Sequence, residues 1–534
     1  MARKKEVVYE NGRFKGKLLD SETCLKLESL RRLDEEKGYI EDLQNIIYDL
    51  SASDVDIIRM NLSNEFVDLS KRGELKNIQT IGVAYMYFAK RLILGDSVGL
   101  GKTVEVCGLC NLLESMYSKK NESFRFLLLT GKTLIHETCN KMIKFTGNYI
   151  QEVYGEAASV KKFISENNDD LYFSVVGAHS LVNSILFQDY IRNFIDTKGY
   201  SPFDLIVIDE AGDLLTNSGT KTYTNAKYLT EITDRIILLN ATSFEKNLDQ
   251  FYNQLSFVDD TLLPTKTEFS ETYKVKTWDA FRGYPTYKKG AYKNQENFKH
   301  LVGYRYLART RKSTGATMSN CTAEVIVSDL SNEQKNLLKM VSIPSMVYDC
   351  PSYFNSVGYN IPTDVDTTPK MKDLIDLLTG RLANEQSVLV FSRYKEAQFA
   401  IEKLLQDYDI SCAVMNGDTP QKTRNAYINS FKLGDFKVLI TNVQKGLDFG
   451  DCNHCIFYDY DTNPNNMVQF EGRMTRSYDI IDKHVYLLMS RGNELKTFKE
   501  AVADDAQASD MFAGSDFSCV LSILLDEDKL KSLK

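Results

Sequence analysis

The stretch Gly95-Asp96-Ser97-Val98-Gly99-Leu100-Gly101-Lys102-Thr103 decides how the rest of this chain is interpreted. It follows a short apolar run, Leu92-Ile93-Leu94, and precedes a segment of helical character from Val104 to Leu113. A strand, a glycine-rich loop and a helix in this order form the context in which a loop binds phosphate. Gly99 and Gly101 let backbone N–H groups approach phosphate oxygens closely, and the helix N-terminus favours negative charge.

The last two residues of this stretch carry its chemistry. In such a loop, Lys102 is expected to reach the β- and γ-phosphates, and the hydroxyl of Thr103 to hold Mg²⁺. Asp96 occupies the place where the usual G-x-x-x-x-G-K-[ST] pattern has its first glycine. The alternative is an ordinary turn between a strand and a helix. The Gly-Lys-Thr sequence at the junction of strand and helix favours phosphate binding.

Length and composition indicate a globular protein of two or more domains. The chain has 534 residues, of which 43% are hydrophobic and 26% are charged, with a net charge of −8. Any binding of nucleic acid must therefore depend on a local basic patch. The N-terminal sequence has no apolar run typical of a signal peptide, and no segment approaches the length of a membrane span. We therefore expect a soluble intracellular, cytoplasmic protein that has no membrane partner, with the nucleoid or nucleus as the alternative location.

Two Cys-x-x-Cys pairs occur among the ten cysteines, Cys107/Cys110 and Cys452/Cys455. They leave two alternatives, zinc ligands or buried core thiols. A zinc site would require the two pairs to meet. The first pair lies on the segment after the phosphate loop, and the second lies at the start of an apolar run.

Apolar runs alternate with helical segments in two series, which predicts an α/β protein with two parallel sheets covered by helices. The predicted strands of the first series are Leu92–Leu94, Phe126–Leu129, Tyr172–Val176, Leu205–Ile208 and Ile236–Leu239. Those of the second series are Val388–Phe391, Cys412–Met415, Val438–Ile440, Cys455–Tyr458 and Val485–Met489. We assign a helical N-terminal extension (1–74), a first lobe (75–262), a basic and aromatic insertion and linker (263–330), a second lobe (331–505) and a tail (506–534).

The predicted strand Leu205–Ile208 delivers two acids, Asp209 and Glu210, at its C-terminal end. Asp209 is expected to bind Mg²⁺, and Glu210 to polarise the attacking water. An acidic pair after a strand is often a solvated loop or a helix cap. Its place downstream of Lys102, on another strand of the same lobe, favours catalysis.

These motifs resemble a superfamily 2 helicase-type ATPase, in particular the Swi/Snf-type DNA translocases, over roughly Leu75 to Met489. The resemblance implies two RecA-like lobes, with Asp96–Thr103 similar to the group's Asp-Glu-Met-Gly-Leu-Gly-Lys-Thr loop. It implies that Gln79 reads adenine and that Asp96, Gly99, Gly101 and Thr103 contact the nucleotide. Asp209-Glu210-Ala211-Gly212 resembles the Asp-Glu-Ala-His box with glycine in place of histidine, and Asn240-Ala241-Thr242 resembles the coupling motif, which assigns coupling to Ala241 and Thr242.

The second lobe carries the remaining motifs of this resemblance. Gln469-Phe470-Glu471-Gly472-Arg473-Met474-Thr475-Arg476 matches Q-x-x-G-R-x-x-R without gaps. It implies that Gln469 contacts the nucleotide and that Arg473 and Arg476 are the arginine fingers that stabilise charge on the γ-phosphoryl group. Asp448 is a further implied nucleotide contact, while Ser392 and Thr441 lie in motifs that contact nucleic acid. Ser477-Tyr478 departs from the Gly-Gln that usually follows, which weakens the assignment to the Swi/Snf group.

The region between the lobes is the most basic part of the sequence. From Lys274 to Lys312, eleven basic residues are interleaved with aromatic ones against only two acids, Asp279 and Glu296. Two interpretations stay open, a protrusion that contacts nucleic acid or a solvated insertion with an aromatic core. The run Ala308-Arg309-Thr310-Arg311-Lys312 resembles the Arg-Arg-x-Lys element of Swi/Snf-type proteins, which implies that Arg309, Arg311 and Lys312 contact nucleic acid.

The expected function is that of an ATP-driven motor that uses ATP and Mg²⁺ and moves on DNA, duplex DNA being favoured. A strand-separating or branch-migrating DNA helicase is the alternative, and an RNA helicase fits the motifs less well. A hypothesis of another class is a nucleotide-gated clamp with little turnover, which the Gly212 and Asn240 departures keep open. The N-terminal extension is either a packing element or a surface for a protein partner.

Overall fold

The chain forms two compact units, of which the first contains the described residues up to Thr310 and the second those from Cys321 onward. The computed structural model describes residues 9–10, 13–14, 20–35, 75–167, 174–240, 248–279, 283–310, 321–341, 343–361, 368–443, 449, 452–460, 467, 470–472, 474 and 482–500. None of the helices within these ranges is long and apolar enough to cross a bilayer.

The first unit is built around a seven-stranded sheet in which every pairing is parallel. A short antiparallel pair precedes it, β1 (Tyr9–Glu10) and β2 (Arg13–Phe14). The later strands of this unit are β3 (Arg91–Leu94), β4 (Phe126–Thr130), β5 (Ile150–Val153), β6 (Ser174–Ala178), β7 (Leu205–Ile208), β8 (Ile236–Leu239), β9 (Lys274–Asp279), β10 (Tyr284–Tyr292) and β11 (Tyr306–Leu307). The order in the sheet is β11-β3-β8-β7-β4-β6-β5.

Two apolar cores cover the two faces of this sheet. Alternate side chains of β3 divide between them, since Leu92 and Leu94 belong to one core and Ile93 to the other. Burial on both faces explains why these strands are continuous apolar runs. The α-helices of the unit are Ser21–Glu35, Asn77–Ala89, Lys102–Lys119, Ile135–Thr146, Ala157–Glu166, Ile185–Lys198, Ala211–Leu214, Lys221–Lys227, Leu229–Ile232, Leu248–Val258, Lys266–Tyr273 and Gln295–Val302. Short 3₁₀ turns cover Lys132–Leu134, His179–Asn183 and Asp260–Leu262.

The second unit repeats the design with six strands, again all parallel. They are β12 (Cys321–Ser328), β13 (Val388–Phe391), β14 (Cys412–Met415), β15 (Val438–Thr441), β16 (His454–Phe457) and β17 (Lys483–Ser490), in the order β12-β17-β16-β13-β15-β14. Its α-helices are Asn332–Leu337, Pro344–Asp349, Tyr353–Ser356, Pro369–Thr379, Lys395–Asp407 and Gln421–Leu433, and residues 493–500 are also helical. The prediction of two parallel-sheet α/β lobes is confirmed.

The region 263–330, which the sequence predicted as an insertion and linker, contributes strands to both large sheets. Its strand β11 pairs with β3 at the edge of the first sheet, and β12 pairs with β17 at the edge of the second. Between the helices Lys266–Tyr273 and Gln295–Val302, the strands β9 and β10 form an antiparallel hairpin. The division between the two units therefore falls inside this insertion and linker, and among its described strands β9 and β10 are the ones outside the two large sheets.

The described part of the N-terminal extension packs against the first unit. In the helix Ser21–Glu35, Leu27 and Leu30 are fully buried and join one of the two cores. Arg31 donates hydrogen bonds to the carbonyl oxygen of Tyr306 at 3.1 Å and to the hydroxyl of Tyr85 at 3.2 Å. For these residues the packing alternative is therefore the observed one.

Candidate active site

The phosphate loop lies where the sequence predicted it, between β3 and the helix Lys102–Lys119. Gly99 and Gly101 have φ values of 88° and 94°, in the left-handed region that glycine adopts without a steric penalty. A Cβ atom at Gly101 would lie 2.4 Å from Nε2 of Gln79, so a side chain does not fit there. The loop conformation therefore depends on its glycines, as a phosphate-binding loop requires.

Lys102 begins the helix and folds back over its own loop. Its ammonium group donates hydrogen bonds to the backbone carbonyls of Asp96 and Ser97. Burial lowers the pKa of Lys102, and the nearby carboxylates of Asp96, Glu210 and Asp209 act in the opposite direction. Lys102 and the acidic pair thus lie within electrostatic reach of one another, while Thr103 occupies the first turn of the same helix.

Gln79 fixes the loop from the preceding helix, Asn77–Ala89. Its Nε2 donates to the carbonyl of Leu100 at 2.9 Å, and its Oε1 accepts from the backbone N–H of Lys76 at 3.0 Å. The side chain is buried, and both ends of its amide have partners within the chain. Adenine recognition by Gln79 stays a prediction, and the observed contacts give it a role in holding the loop.

Asp96 and Arg309 form the centre of a buried ion cluster beneath the loop. The guanidinium Nε of Arg309 lies 2.9 Å from Oδ2 of Asp96, and its Nη2 lies 2.9 Å from Oε1 of Glu105. Asp34 of the N-terminal extension is 3.5 Å from Nη1 of Arg309. Burial disfavours the charge on Arg309, but the attraction of Asp96 and Glu105 prevails and raises its pKa. We name Asp34, Asp96, Glu105 and Arg309 the ion cluster.

Two sequence expectations change because of the ion cluster. Arg309 was expected to contact nucleic acid, yet its side chain is 3% exposed and is enclosed by carboxylates. Asp96 was expected to contact the nucleotide, yet its carboxylate is fully buried and binds Arg309. Gly82 makes room for the cluster, since a Cβ atom there would lie 2.3 Å from Oε2 of Glu105. Here the aspartate at the first glycine position is a structural partner of the arginine.

The acidic pair lies in the turn after β7, at the same edge of the sheet as the phosphate loop. Oδ2 of Asp209 accepts from the hydroxyl of Thr130 at 3.3 Å, and its Oδ1 accepts from the N–H of Glu210 at 3.1 Å. Glu210 has a φ of 48°, which is uncommon for a residue other than glycine. Backbone strain of this kind concentrates at functional sites, where the surrounding structure holds it in place.

Side chains from three elements hold this turn, and we name them the turn clasp: His179, Asn240 and Gln250. Nε2 of His179 donates to the carbonyl of Asp209 at 2.7 Å. Oδ1 of Asn240 accepts from the N–H of Gly212 at 3.1 Å, while Nε2 of Gln250 donates to the carbonyl of Gly212 at 2.8 Å. The amide of Asn240 is itself oriented by a hydrogen bond of 2.5 Å to Gln254.

The strand order explains why the turn clasp can form. β7 and β8 are neighbours, and Ile208 lies in register with Leu238. Asn240, which follows β8, is therefore brought beside the turn that follows β7. The two departures noted in the sequence, Gly212 and Asn240, are thus in direct contact. The sequence did not indicate this contact, because it depends on strand adjacency and on a backbone donor.

In the second unit, the two expected nucleic-acid contacts are buried. The hydroxyl of Ser392 donates to Oδ2 of Asp459 at 2.8 Å, and that of Thr441 accepts from the N–H of Val443 at 3.0 Å. Both residues are 0% exposed, so neither side chain is presented to a nucleic acid, contrary to expectation. The predicted residues that lie outside the described part of the chain are Ala241, Thr242, Arg311, Lys312, Asp448, Gln469, Arg473 and Arg476.

Each cysteine pair lies in an apolar core, the first pair in the first unit and the second pair in the second unit. Cys107 and Cys110 are fully buried on the helix Lys102–Lys119, and burial raises the pKa of the Cys107 thiol to about 12. Cys452 and Cys455 are buried in the second unit. Within the described ranges, no three His, Cys, Asp or Glu side chains group as ligands of a metal ion.

Comparison with known proteins identifies the protein family to which this chain belongs. Residues 78–361 match the SNF2-related domain, and residues 369–478 match the helicase conserved C-terminal domain. The chain is 23% identical over 440 residues to the uncharacterized ATP-dependent helicase YqhH of Bacillus subtilis, covering 75% of this chain and 72% of YqhH. It is 23% identical over 477 residues to the DNA repair and recombination protein RAD54B of Gallus gallus, covering 77% of this chain and 50% of RAD54B.

Two solved structures are also similar. The Sulfolobus solfataricus SWI2/SNF2 ATPase core in complex with dsDNA has 18% identity and a TM-score of 0.37, with 86% of this chain and 97% of that chain covered. The Pyrococcus furiosus Hef helicase domain has 14% identity and a TM-score of 0.48, with 80% and 98% covered. The SNF2-related match extends over more than half of the sequence, from the helix before the phosphate loop into the second unit. The chain therefore belongs to the SNF2-related family of superfamily 2 helicase-type ATPases.

Proposed function

We propose that this protein couples ATP hydrolysis to movement on duplex DNA. The single observation that carries the proposal is the arrangement of Lys102, Asp209 and Glu210 within electrostatic reach at one edge of a parallel sheet. Membership of the SNF2-related family is the reason for proposing DNA as the polymer on which the protein moves. RAD54B is named for DNA repair and recombination, and the archaeal SWI2/SNF2 core was solved with double-stranded DNA.

The residues present fit a magnesium–nucleotide complex. Mg²⁺ prefers hard oxygen ligands, which the hydroxyl of Thr103 and the carboxylate of Asp209 supply. Asp209 is oriented by Thr130 and by the N–H of Glu210, so its carboxylate is held in place. Bound Mg²⁺ would neutralise charge on the phosphates, a contribution typical of phosphoryl transfer.

Phosphate binding and activation of the attacking water are carried out by residues of the chain itself. The loop N–H groups and Lys102 bind phosphate oxygens, the ammonium group exchanging its present carbonyl partners for them. Glu210, in its strained turn, orients the attacking water and takes up its proton. The turn clasp holds this geometry while the nucleotide state changes.

Substitution of Lys102 tests the proposal directly. We expect Lys102→Ala to abolish ATP hydrolysis and leave the fold intact, because the ammonium group acts on phosphates. ATPase rates should be measured in parallel with blunt duplex DNA, single-stranded DNA, branched DNA and RNA, with circular dichroism as the folding control. Duplex DNA should stimulate the unmodified protein most. Turnover of Lys102→Ala near the unmodified rate, or stimulation by RNA alone, would refute the proposal.

The clamp hypothesis makes a different prediction for Glu210→Gln. In a motor, this variant should bind ATP, fail to hydrolyse it and remain on DNA longest with ATP present. In a clamp with little turnover, the substitution should leave DNA residence time unchanged. Measuring DNA dissociation with ATP and with ADP distinguishes the two functions.

A protein partner at the N-terminal extension remains a separate proposal, to be tested by co-purification with the full chain.

A further inference from the structure

The hairpin formed by β9 and β10 presents large aromatic side chains to solvent. Trp278 is 66% exposed, Tyr284 is 52% exposed and Tyr287 is 38% exposed. Trp278 is also the only tryptophan in the chain. Exposed aromatic side chains grouped on one element mark a binding surface more often than scattered apolar residues do.

The strand register places two of these aromatic residues, Trp278 and Tyr287, on one face, whereas Tyr284 lies on the opposite face, across from Asp279. In the antiparallel pairing, Trp278 lies across from Pro285, and Lys276 lies across from Tyr287. Residues directly across a hairpin, and alternate residues along each strand, share a face. Lys276, Trp278, Pro285 and Tyr287 therefore form one continuous surface, which we name the hairpin face.

The hairpin face combines aromatic rings with positive charge. The ammonium groups of Lys274 and Lys276 lie 5.4 Å and 5.5 Å from the ring centroid of Tyr287. Lys274 pairs with Asp249 and is largely buried, whereas Lys276 pairs with Glu271 at 3.1 Å and keeps about half of its side chain exposed. Residues 274–293 contain six basic residues and one acidic residue, in a chain whose net charge is −8. This local charge is complementary to a polyanion.

The exposed rings are not required by the core of the first unit. The aromatic residues beside the hairpin, Tyr273 and Phe298, are 3% and 0% exposed, and their ring centroids are 5.2 Å apart. They belong to the same apolar core as Phe251 and Phe269. The aromatic residues of this region thus divide into a buried set that anchors the hairpin and an exposed set on it.

We propose that the hairpin face binds unpaired nucleic-acid bases, as found in single-stranded DNA beside a duplex. Aromatic rings stack on base faces, which duplex pairing covers and single strands expose, while lysines contact the adjacent phosphates. The proposal extends the proposed function, because a motor on duplex DNA that also holds unpaired bases engages a duplex end, fork or junction. It assigns the hairpin a binding site separate from the ATP-hydrolysing residues.

Because Trp278 is the only tryptophan, its fluorescence reports on the hairpin face in the unmodified full chain. Titration with an oligothymidylate at moderate salt, without nucleotide, should quench this emission in a saturable way. A blunt duplex of equal charge should quench it far less, and polyglutamate should not quench it. Equal quenching by the blunt duplex, or no quenching by the single strand, would overturn the proposal.

Variants test the same point through affinity for a labelled oligothymidylate. Trp278→Ala should weaken binding by roughly tenfold, the scale of one lost stacking contact, while Trp278→Phe should retain most of it. Lys276→Gln should lower the salt dependence of binding by about one unit of slope. Tyr408→Ala is the matched control, because Tyr408 is 55% exposed but lies in the second unit.

Unchanged single-strand affinity in Trp278→Ala would refute the hairpin site. The proposed function has its own readout, duplex-stimulated ATP hydrolysis by the unmodified protein. Quenching by single strands without any duplex-stimulated hydrolysis would leave the hairpin site standing and refute the motor. Duplex-stimulated hydrolysis without quenching by single strands would refute the hairpin site and leave the motor standing.

Discussion

Arg309 shows how one residue can link the phosphate loop to distant parts of the sequence. Its guanidinium binds Asp96 in the loop and Glu105 in the following helix, and it approaches Asp34 in the N-terminal extension. All four ion-cluster side chains are at most 14% exposed. A buried carboxylate without its cation is costly, because water cannot replace the lost partner.

Arg309→Met should therefore destabilise the first unit by about 3–5 kcal/mol, the range found when one partner of a buried ion pair is removed. Methionine keeps much of the apolar stem and removes the charge. The matched control is Arg192→Met, because Arg192 pairs with Asp189 at 3.2 Å with both side chains about half exposed. That surface pair should contribute less than about 1 kcal/mol. Thermal unfolding measures both variants, and equal midpoints would contradict the assigned role of the cluster.

Asp459 carries a residue-scale prediction about pH in the second unit. Burial raises the pKa of Asp459 to about 6, although hydrogen bonds from Arg393 N–H and Ser392 act to lower it. The folded protein therefore holds this proton more tightly than the unfolded chain does. The stability contributed by protonated Asp459 is present below about pH 4 and is lost as pH rises through about 6.

Asp459→Asn should remove that loss, so the variant should gain stability relative to the unmodified protein between about pH 4 and 6. Each unit by which the pKa differs between the folded and unfolded states changes the free energy of unfolding by about 1.4 kcal/mol. Thermal midpoints of both proteins should be measured across this window. Asp376→Asn, at an exposed position in a helix of the same unit, should show no such trend. A pH-independent difference for Asp459→Asn would contradict the assignment.

At the scale of elements, the turn clasp joins β7, β8 and the helix Leu248–Val258. Gly212 has both backbone groups bound by side chains, its N–H by Asn240 and its carbonyl by Gln250. The Asp-Glu-Ala-His box usually has a histidine side chain at this position. In this chain the connection between the turn and β8 is made by the asparagine side chain and the glycine backbone.

Asn240→Ala should therefore impair hydrolysis more than binding. Loss of the acceptor for Gly212 N–H relaxes the turn that positions Glu210. We therefore expect turnover to fall by about tenfold, which corresponds to an increase of about 1.4 kcal/mol in the activation free energy. Nucleotide affinity should change less, since the phosphate loop is untouched. The matched control is Asn253→Ala, which removes a similarly buried amide on the helix Leu248–Val258 that donates to the carbonyl of Thr216. Steady-state ATPase and nucleotide binding should be measured for both, and equal turnover would refute the coupling role.

The sequence predicted some elements residue for residue. β7, β8 and β13 match their predicted bounds, because four-residue apolar runs buried on both faces leave little ambiguity. β5, β11 and β12 were missed. The run Ile150-Gln151-Glu152-Val153 is interrupted by polar residues, β11 has two residues, and β12 has partly exposed positions at its first half.

Candidate site residues were predictable where a motif fixes their place in the chain, as for Lys102, Asp209 and Glu210. They were not predictable where side chains from distant segments meet. The ion cluster joins residues separated by more than two hundred positions, whereas Arg309 was assigned to nucleic acid because its run resembles the Arg-Arg-x-Lys element of Swi/Snf-type proteins. Its burial becomes evident only when β11 is placed beside β3.

At the scale of the whole molecule, binding of DNA must overcome an unfavourable net charge of −8. Local positive regions such as residues 274–293 are therefore needed for encounter with a polyanion. Such contacts weaken as salt is added, because bound counterions are released on association. The motor and the hairpin site should accordingly both be compared at stated, equal salt concentrations.

Turnover should also depend on the second half of the sequence, through the Q-x-x-G-R-x-x-R motif. The resemblance implies that Arg473 and Arg476 stabilise charge on the γ-phosphoryl group, although these residues lie outside the described part of the chain. We predict that Arg476→Ala lowers turnover by roughly a hundredfold or more, within the range of lost arginine fingers. Nucleotide affinity should change far less, because the phosphate loop and Lys102 supply most contacts to the bound nucleotide.

The conservative variant and a control make this last prediction specific. Arg476→Lys should restore little activity, since lysine keeps the charge but loses the planar fork that binds two oxygens. The control is Arg491→Ala, because Arg491 is a partly exposed arginine of the second unit that pairs with Asp329 at 2.7 Å. Steady-state ATPase with saturating duplex DNA should be measured beside nucleotide binding for all three variants. Unimpaired DNA-stimulated turnover in Arg476→Ala would show that hydrolysis needs only the first unit, and the proposed motor would then have to be abandoned.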